Sequence, residues 1–441
     1  MPRFVATALA GVAAAGMAVL GTVGIDAGAL ERPAYATTPQ ARPTASPVAA
    51  PLGGLPVGGA PVRADSVRDD QWQLRKLDIA AAWRQSTGAG VTVAVIDSGV
   101  DAGHADLAGQ VLPGTDLVAG SGDGRADPVG HGTTVAGIIA GRKDDSRGVV
   151  GIAPDAKILP IRVLDKDNRY DDAMIVAKAV RWAVDHGARV VNLSLGGTGT
   201  SPVLAAALDY AFAKDVVVVA CTGNISPAGP SEVWYPAREP GVLAVTGLDR
   251  DDDLWSGAIT GAQTVIAAPA TGLLGARPNG YWRVQGTSFA APMVAATAAL
   301  IRSRWPDMSA ANVISRIVST ARDVGAAGRD DRFGFGMVDP NRALTADVAT
   351  TTGNPLDTAP PPGVAGFGAA PGADETPGSS LQPRTQIDGA LARRPNPGSG
   401  AQPAGPARPE RDHGWVGITA YVVLAGLGSL TIVRRFGPRR R

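Results

Sequence analysis

Six runs dominated by apolar side chains recur between residues 71 and 346: Val91 to Ile96, Ile158 to Val163, Val190 to Leu195, Val216 to Ala220, Val242 to Val245 and Val265 to Ala268. Short runs that are apolar on both faces fit strands buried on both sides, the situation of a parallel sheet covered by helices. Helically spaced apolar positions separate several of them, such as Ile175, Ala179, Val180, Trp182 and Ala183, then Leu204, Ala207, Leu208 and Ala211. Strands alternating with helices predict an α/β fold with a mainly parallel sheet between helix layers. In such sheets ligands bind beyond the carboxyl ends of the strands, so that edge is where chemistry is to be sought.

The ends of the chain read differently. Met1-Pro2-Arg3, an apolar stretch from Phe4 to about Gly24 and the small-residue site Ala34-Tyr35-Ala36 are the parts of a secretory signal, assigned to residues 1–36. Residues 37–70 read as an extended N-terminal arm, residues 71–346 as the folded domain, and the Pro/Gly/Ala-rich residues 347–413 as a linker with too little apolar surface to fold. Trp415 to Val433 carries no charge, and Arg434, Arg435, Arg439, Arg440 and Arg441 follow it. An uncharged stretch of that length spans a hydrocarbon layer of ~30 Å. The positive-inside rule then puts residues 435–441 in the cytoplasm and the folded domain outside, a single-pass cell-membrane protein whose residues 414–434 sit in the lipid bilayer.

Formal net charge is +1, which leaves no electrostatic footprint for nucleic acid. Cys221 is the one cysteine, so the chain forms no internal disulfide and must hold by its core.

Three stretches carry chemistry. VAVIDSGVD, residues 93–101, is a strand that delivers Asp97 to the carboxyl edge of the sheet. GHGTTVAGIIAG, residues 130–141, sets His131 at the start of an apolar helix, and GTSFAAPMVAATAALI, residues 286–301, does the same for Ser288. Singly, each has a plain structural reading as a turn or helix cap. Together they stand in the order Asp, His, Ser, one of the chain orders in which serine-protease triads occur.

Residues 71–346 resemble a subtilase catalytic domain: DSG, HGT and GTSFAAP match the family's three blocks, and GHADL (103–107), GIAPDAKILPIRVL (151–164), NLSLGG (192–197) and FGFGMVD (333–339) match its pattern elsewhere. The resemblance implies a three-layer fold with a roughly seven-stranded sheet. It implies catalysis by Asp97, His131 and Ser288, an oxyanion hole at Asn224 of the TGN stretch, and a substrate-pairing edge at Ser194, Leu195 and Gly196. Pro292 belongs to the Ser block and is expected to kink or loosen the first turns of its helix. No cofactor is required by this chemistry and no metal ligands are assigned. A structural calcium ion is left open, since Asp123 and Asp127 lie in a Gly-rich loop without a clear ligand spacing. Asn168-Arg169-Tyr170-Asp171 reads as a solvated loop, with the border of the substrate groove as the alternative.

The combination of signal, catalytic domain, linker, membrane helix and arginine tail resembles the mycosins of actinobacterial type VII secretion systems, as does QWQLRKLDIAAAWRQSTGAGVTVAVIDSGVD at 71–101. That resemblance implies a few secreted polypeptides as substrates and a secretion membrane complex as partner. A mainly structural role in that complex and an independent anchored protease are the alternatives. Two features depart from the mycosin pattern: the chain cannot form a disulfide, and Cys221-Thr222 stand where small alanines are usual, which bears on the specificity pocket. Residues 37–70 are too few for a folded inhibitory propeptide.

Overall fold

A computed structural model describes residues 64–357, apart from 145–146, 228 and 230. The segments expected to form the signal, most of the arm, most of the linker, the membrane helix and the arginine tail lie outside the described residues. Among the described residues no helix is long and apolar enough to cross a membrane.

Among the described residues nine strands form: β1 (Thr92–Asp97), β2 (Thr115–Asp116), β3 (Lys157–Arg162), β4 (Val190–Leu193), β5 (Val217–Cys221), β6 (Leu243–Leu248), β7 (Ile266–Pro269), β8 (Leu273–Arg277) and β9 (Gly280–Val284). The first seven make one sheet in the order β2-β3-β1-β4-β5-β6-β7, parallel throughout. Every apolar run of the sequence is a strand of it, and the seventh, β2, is a two-residue edge. The side chains of β4, β5, β6 and β7 are buried without exception, which is why these strands show no alternation. β8 and β9 pair separately as an antiparallel hairpin. Pro278 sets its turn and Asn279, at φ 67°, takes the left-handed position.

The helices are α1 (Ala64–Asp70), α2 (Trp72–Lys76), α3 (Ile79–Ala82), α4 (His131–Ala140), α5 (Ala173–Asp185), α6 (Pro202–Ala213), α7 (Thr287–Arg304), α8 (Ala310–Ser319) and α9 (Pro340–Thr345). Asp172 caps α5 by accepting from the Met174 amide, and Ser201 caps α6 with Pro202 following. α5 packs on α6, and α4 packs on α7. α7 is buried from Thr287 to Arg302, so it is apolar all round and serves as the core of its layer.

Pro292 does not end α7, which continues as one helix to Arg304. Its missing N–H would have bonded the Ser288 carbonyl four residues earlier. The Ser194 hydroxyl donates to that carbonyl instead, at 2.6 Å.

The last turns of the arm are folded. Val67 of α1 is buried with Val149, Leu274, Ala276 and Tyr281, and Asp70 pairs with Arg283 of β9 at 2.6 Å. The Gln71 side-chain amide exchanges two hydrogen bonds with the backbone of Val150, at 3.0 and 2.9 Å. Past residue 346 the chain also stays on the domain: Asn312 bonds both backbone groups of Thr351, and the Gly241 amide donates to Leu356.

Candidate active site

Asp97 is the last residue of β1 and His131 the first of α4. Both are buried, and His131 Nδ1 lies 2.8 and 3.0 Å from the two carboxylate oxygens of Asp97. This contact needs the strand end and the helix start almost in touch. A Cβ on Gly132 would fall 2.0 Å from the Gly99 carbonyl oxygen and 3.1 Å from Asp97 Cβ, so only glycine can follow the histidine here. The imidazole packs on Phe289, with ring centroids 5.1 Å apart. Its Nε2 is buried and finds no partner among the described residues. Nδ1 is therefore the nitrogen that meets the carboxylate, and Nε2 is left to work.

Asp127 holds this junction together. It is buried and accepts from Ser98 Oγ at 2.8 Å, Gly130 N at 2.7 Å, Thr133 N at 2.9 Å and Thr133 Oγ1 at 2.6 Å. Ser98 Oγ in turn accepts from the Gly132 amide at 3.0 Å. The carboxylate thus ties the turn after Asp97 to the first turn of the His131 helix. Burial raises its pKa, and the Thr133, Gly130 and Ser98 hydrogen bonds pull the other way. Asp123, named with Asp127 in connection with a structural calcium ion, pairs with Arg125 at 2.7 Å, and the Arg125 amide first among its contacts lowers its pKa. Among the described residues no group of three or more His, Cys, Asp or Glu side chains could hold a metal.

Ser288 is the second residue of α7, so its amide belongs to the positive end of a long helix. Its hydroxyl lies 3.8 Å from Cys221 Sγ. Burial pushes the Cys221 thiol up to about 11, which leaves it neutral and without nucleophilic force near pH 7. It fills space beside the serine.

Asn224 stands one residue past Gly223 on the chain leaving β5. Its Oδ1 accepts from the Thr287 amide at 3.0 Å and faces the Thr287 hydroxyl at 3.0 Å. That fixes which end of the amide is oxygen. Nδ2, the donor end, is buried and without a partner among the described residues. A buried donor held in this way is oriented for an acceptor that no described residue supplies. The structure brings Asp97 and His131 together and sets Asn224 and Cys221 against the Thr287-Ser288 turn.

Ser194, Leu195 and Gly196 follow directly on β4. Ser194 turns inward: it is buried, accepts from Asn192 Nδ2 at 2.9 Å and donates to the Ser288 carbonyl. Gly197 exchanges two backbone hydrogen bonds with Tyr235, at 2.9 and 2.7 Å, so any free edge ends before it. Tyr170 departs from the expected solvated loop. It is buried, and burial pushes its hydroxyl up to about 12, whereas the turn before it is closed by Asp165 Oδ1 on the Asp167 and Arg169 amides. Sequence reasoning passed over Ser98 and Thr287, and it named Asp127 only in connection with a structural calcium ion, not with the Asp97–His131 junction. The available signal was their spacing: one after Asp97, four before His131 and one before Ser288.

Residues 88–336 match the Subtilase family. Subtilisin DY of Bacillus licheniformis is 38% identical over 251 residues, which is 56% of this chain and 88% of that protein. Among solved structures, the MycP3 protease from the type VII (ESX-3) secretion system is 32% identical with a TM-score of 0.58, covering 70% of this chain and 99% of that one. MycP1 from Mycobacterium smegmatis is 30% identical with a TM-score of 0.59, covering 70% and 91%. An acid–imidazole pair beside a helix-start serine and an oriented amide donor, in a sheet of this order, agrees with these matches at every level: the chain belongs to the subtilase family and is a serine endopeptidase.

Proposed function

We propose that Ser288 Oγ attacks the scissile carbonyl, having turned about its Cα–Cβ bond from the Cys221 thiol to His131 Nε2. A serine hydroxyl is too weak an acid to do this unaided, so the imidazole takes its proton while Asp97 holds Nδ1–H and stabilises the imidazolium. The carbonyl oxygen, now negative, is met by Asn224 Nδ2 and the Ser288 amide. The imidazolium then protonates the leaving amine, and water, deprotonated by the same nitrogen, hydrolyses the acyl-enzyme. The observation that carries this scheme is the Asn224 amide, pinned through Oδ1 with its donor end buried and unpartnered. The scheme needs no cofactor.

The wider role we infer is that of a mycosin, held on the outer face of the cell membrane by residues 414–434. There it would cleave a few secreted polypeptides and support a type VII secretion complex. The likeness to MycP3 over 99% of that structure supports this reading, as does an arm that packs on the domain through α1. The test compares Ser288→Ala with a full deletion in the native cell. Loss of a triad nucleophile removes on the order of 10⁶ in turnover. If the deletion disperses the membrane complex and stops export while Ser288→Ala leaves uncleaved substrate exported, the supporting role stands beside catalysis. No effect of either on any co-purifying complex would leave an independent surface protease.

A further inference from the structure

β4 and β5 are neighbours in the sheet, paired as far as Leu193 and Ala220. Beyond that pair their chains separate, one through Ser194, Leu195 and Gly196, the other through Cys221, Thr222 and Gly223. The crevice between them opens at the catalytic serine, because Ser194 Oγ touches the Ser288 carbonyl and Cys221 Sγ lies beside the Ser288 hydroxyl. A peptide with its carbonyl at Ser288 and Asn224 and its backbone along Ser194 to Gly196 must aim the side chain preceding the scissile bond into this crevice.

The crevice is occupied. Trp234 N donates to the Thr222 carbonyl, and Tyr235 pairs with Gly197, so the segment Trp234-Tyr235 spans the two diverging chains. Trp234 is 2% exposed, and its side chain lies against both. A Cβ on Gly223 would fall 2.5 Å from Trp234 Cδ2, and one on Gly196 would fall 3.1 Å from Trp234 Cβ and 3.4 Å from Cε3. Both glycines are what admits the ring. Its Nε1 is buried with no acceptor among the described residues, so shape and not a hydrogen bond keeps it there. On the serine side Cys221 narrows the same space, with Sγ 3.9 Å from the Leu195 carbonyl oxygen.

We propose that Trp234, with Cys221 beside it, fills the pocket for the residue preceding the scissile bond and restricts that residue to glycine, alanine or serine. The inference rests on the substrate edge and catalytic roles assigned above. A filled hydrophobic pocket rejects a larger side chain steeply, since a misfit of one methylene already changes kcat/KM by roughly 10–200-fold.

The test uses the full chain in detergent micelles and two readouts. A small fluorophosphonate, which presents no side chain to the pocket, counts the catalytic centres with a reactive Ser288. Peptides identical except for Gly, Ala, Ser, Leu or Phe before the scissile bond, and peptidyl phosphonate esters carrying Ala or Phe at that place, then report the pocket. Small residues are expected to outpace Leu and Phe by at least about 100-fold in cleavage and in Ser288 phosphonylation. Trp234→Ala should raise the Phe-to-Ala ratio by about the same factor, and Trp234→Phe by less. If Trp234→Ala does not fold, the wild-type and Trp234→Phe ratios decide. Equal rates for Phe and Ala in the wild type, or an unchanged ratio in a Trp234→Ala protein whose Ser288 still labels, would overturn the pocket assignment and leave catalysis intact. No labelling by the fluorophosphonate would overturn the catalytic roles and this inference together.

Discussion

The Ser194 hydroxyl donates to the Ser288 carbonyl at 2.6 Å, in the place that Pro292 leaves empty. The helix that carries Ser288 lacks one of its own hydrogen bonds, and a side chain from the neighbouring strand end supplies it. Ser194→Ala should therefore strand a buried carbonyl and cost about 1–3 kcal/mol. Pro292→Ala restores an N–H that can reach Ser288, so the double variant should be less destabilised than the two single costs added. Chemical denaturation of the four proteins as a double-mutant cycle checks this, and strict additivity would refute the link.

Asn224→Asp tests the amide's orientation. The acceptor toward Thr287 survives, but the buried donor end is replaced by an oxygen. Removal of one oxyanion donor typically costs ~10²–10³ in kcat, so turnover should fall at least that far while KM and the melting temperature change little. A loss confined to KM would mean that Asn224 binds substrate without stabilising the oxyanion.

Cys221 gives a pH signature. Its thiol, with an ordinary pKa of 9.0, titrates near 11 in the folded protein because it is buried. Between those values the unfolded chain releases the proton and the folded chain keeps it. Stability should fall with rising pH across that window, by about 1.4 kcal/mol per unit, and show no such slope below pH 9. Guanidinium melts from pH 8 to 11 should show the slope in the wild type and its absence in Cys221→Ala.

Val67 tests the arm. Its side chain is fully buried among Val149, Leu274, Ala276 and Tyr281. Val67→Ala removes two methyl groups from that cluster, about 1–2 kcal/mol at ~0.8 kcal/mol per buried carbon. Ser288 should still react with a fluorophosphonate, because α1 touches the hairpin and not the serine. Faster labelling after α1 is deleted would show instead that the arm inhibits.

Six strands were legible because burial on both faces leaves a run without alternation, as in Val217 to Ala220. β2 was not, since two residues carry no period. Nor was the β8–β9 hairpin, although Pro278-Asn279-Gly280 marks its turn. Asp97, His131 and Ser288 stand out in the sequence because each sits at an element's end inside a dense local pattern. Asp127 and Trp234 act across the fold, one by collecting donors from two separate turns and the other by lying between two strand ends. For Asp127 nearby sequence holds no more than a spacing, four residues before His131, and for Trp234 it holds nothing, since long-range pairing such as that of Gly197 with Tyr235 brings Trp234 to Gly196.

The hairpin of β8 and β9 has a mechanical meaning. Asp70 and Val67 of the arm grip it from one side. Thr134 of the His131 helix bonds its Ala276 carbonyl at 2.8 Å, and β9 ends at Val284, four residues before Ser288. Three parts far apart in the chain thus meet at one joint. A pull on the arm would therefore load this hairpin together with the 148–150 backbone, to which Arg68 and Gln71 bond, and the hairpin leads directly into the helix of Ser288.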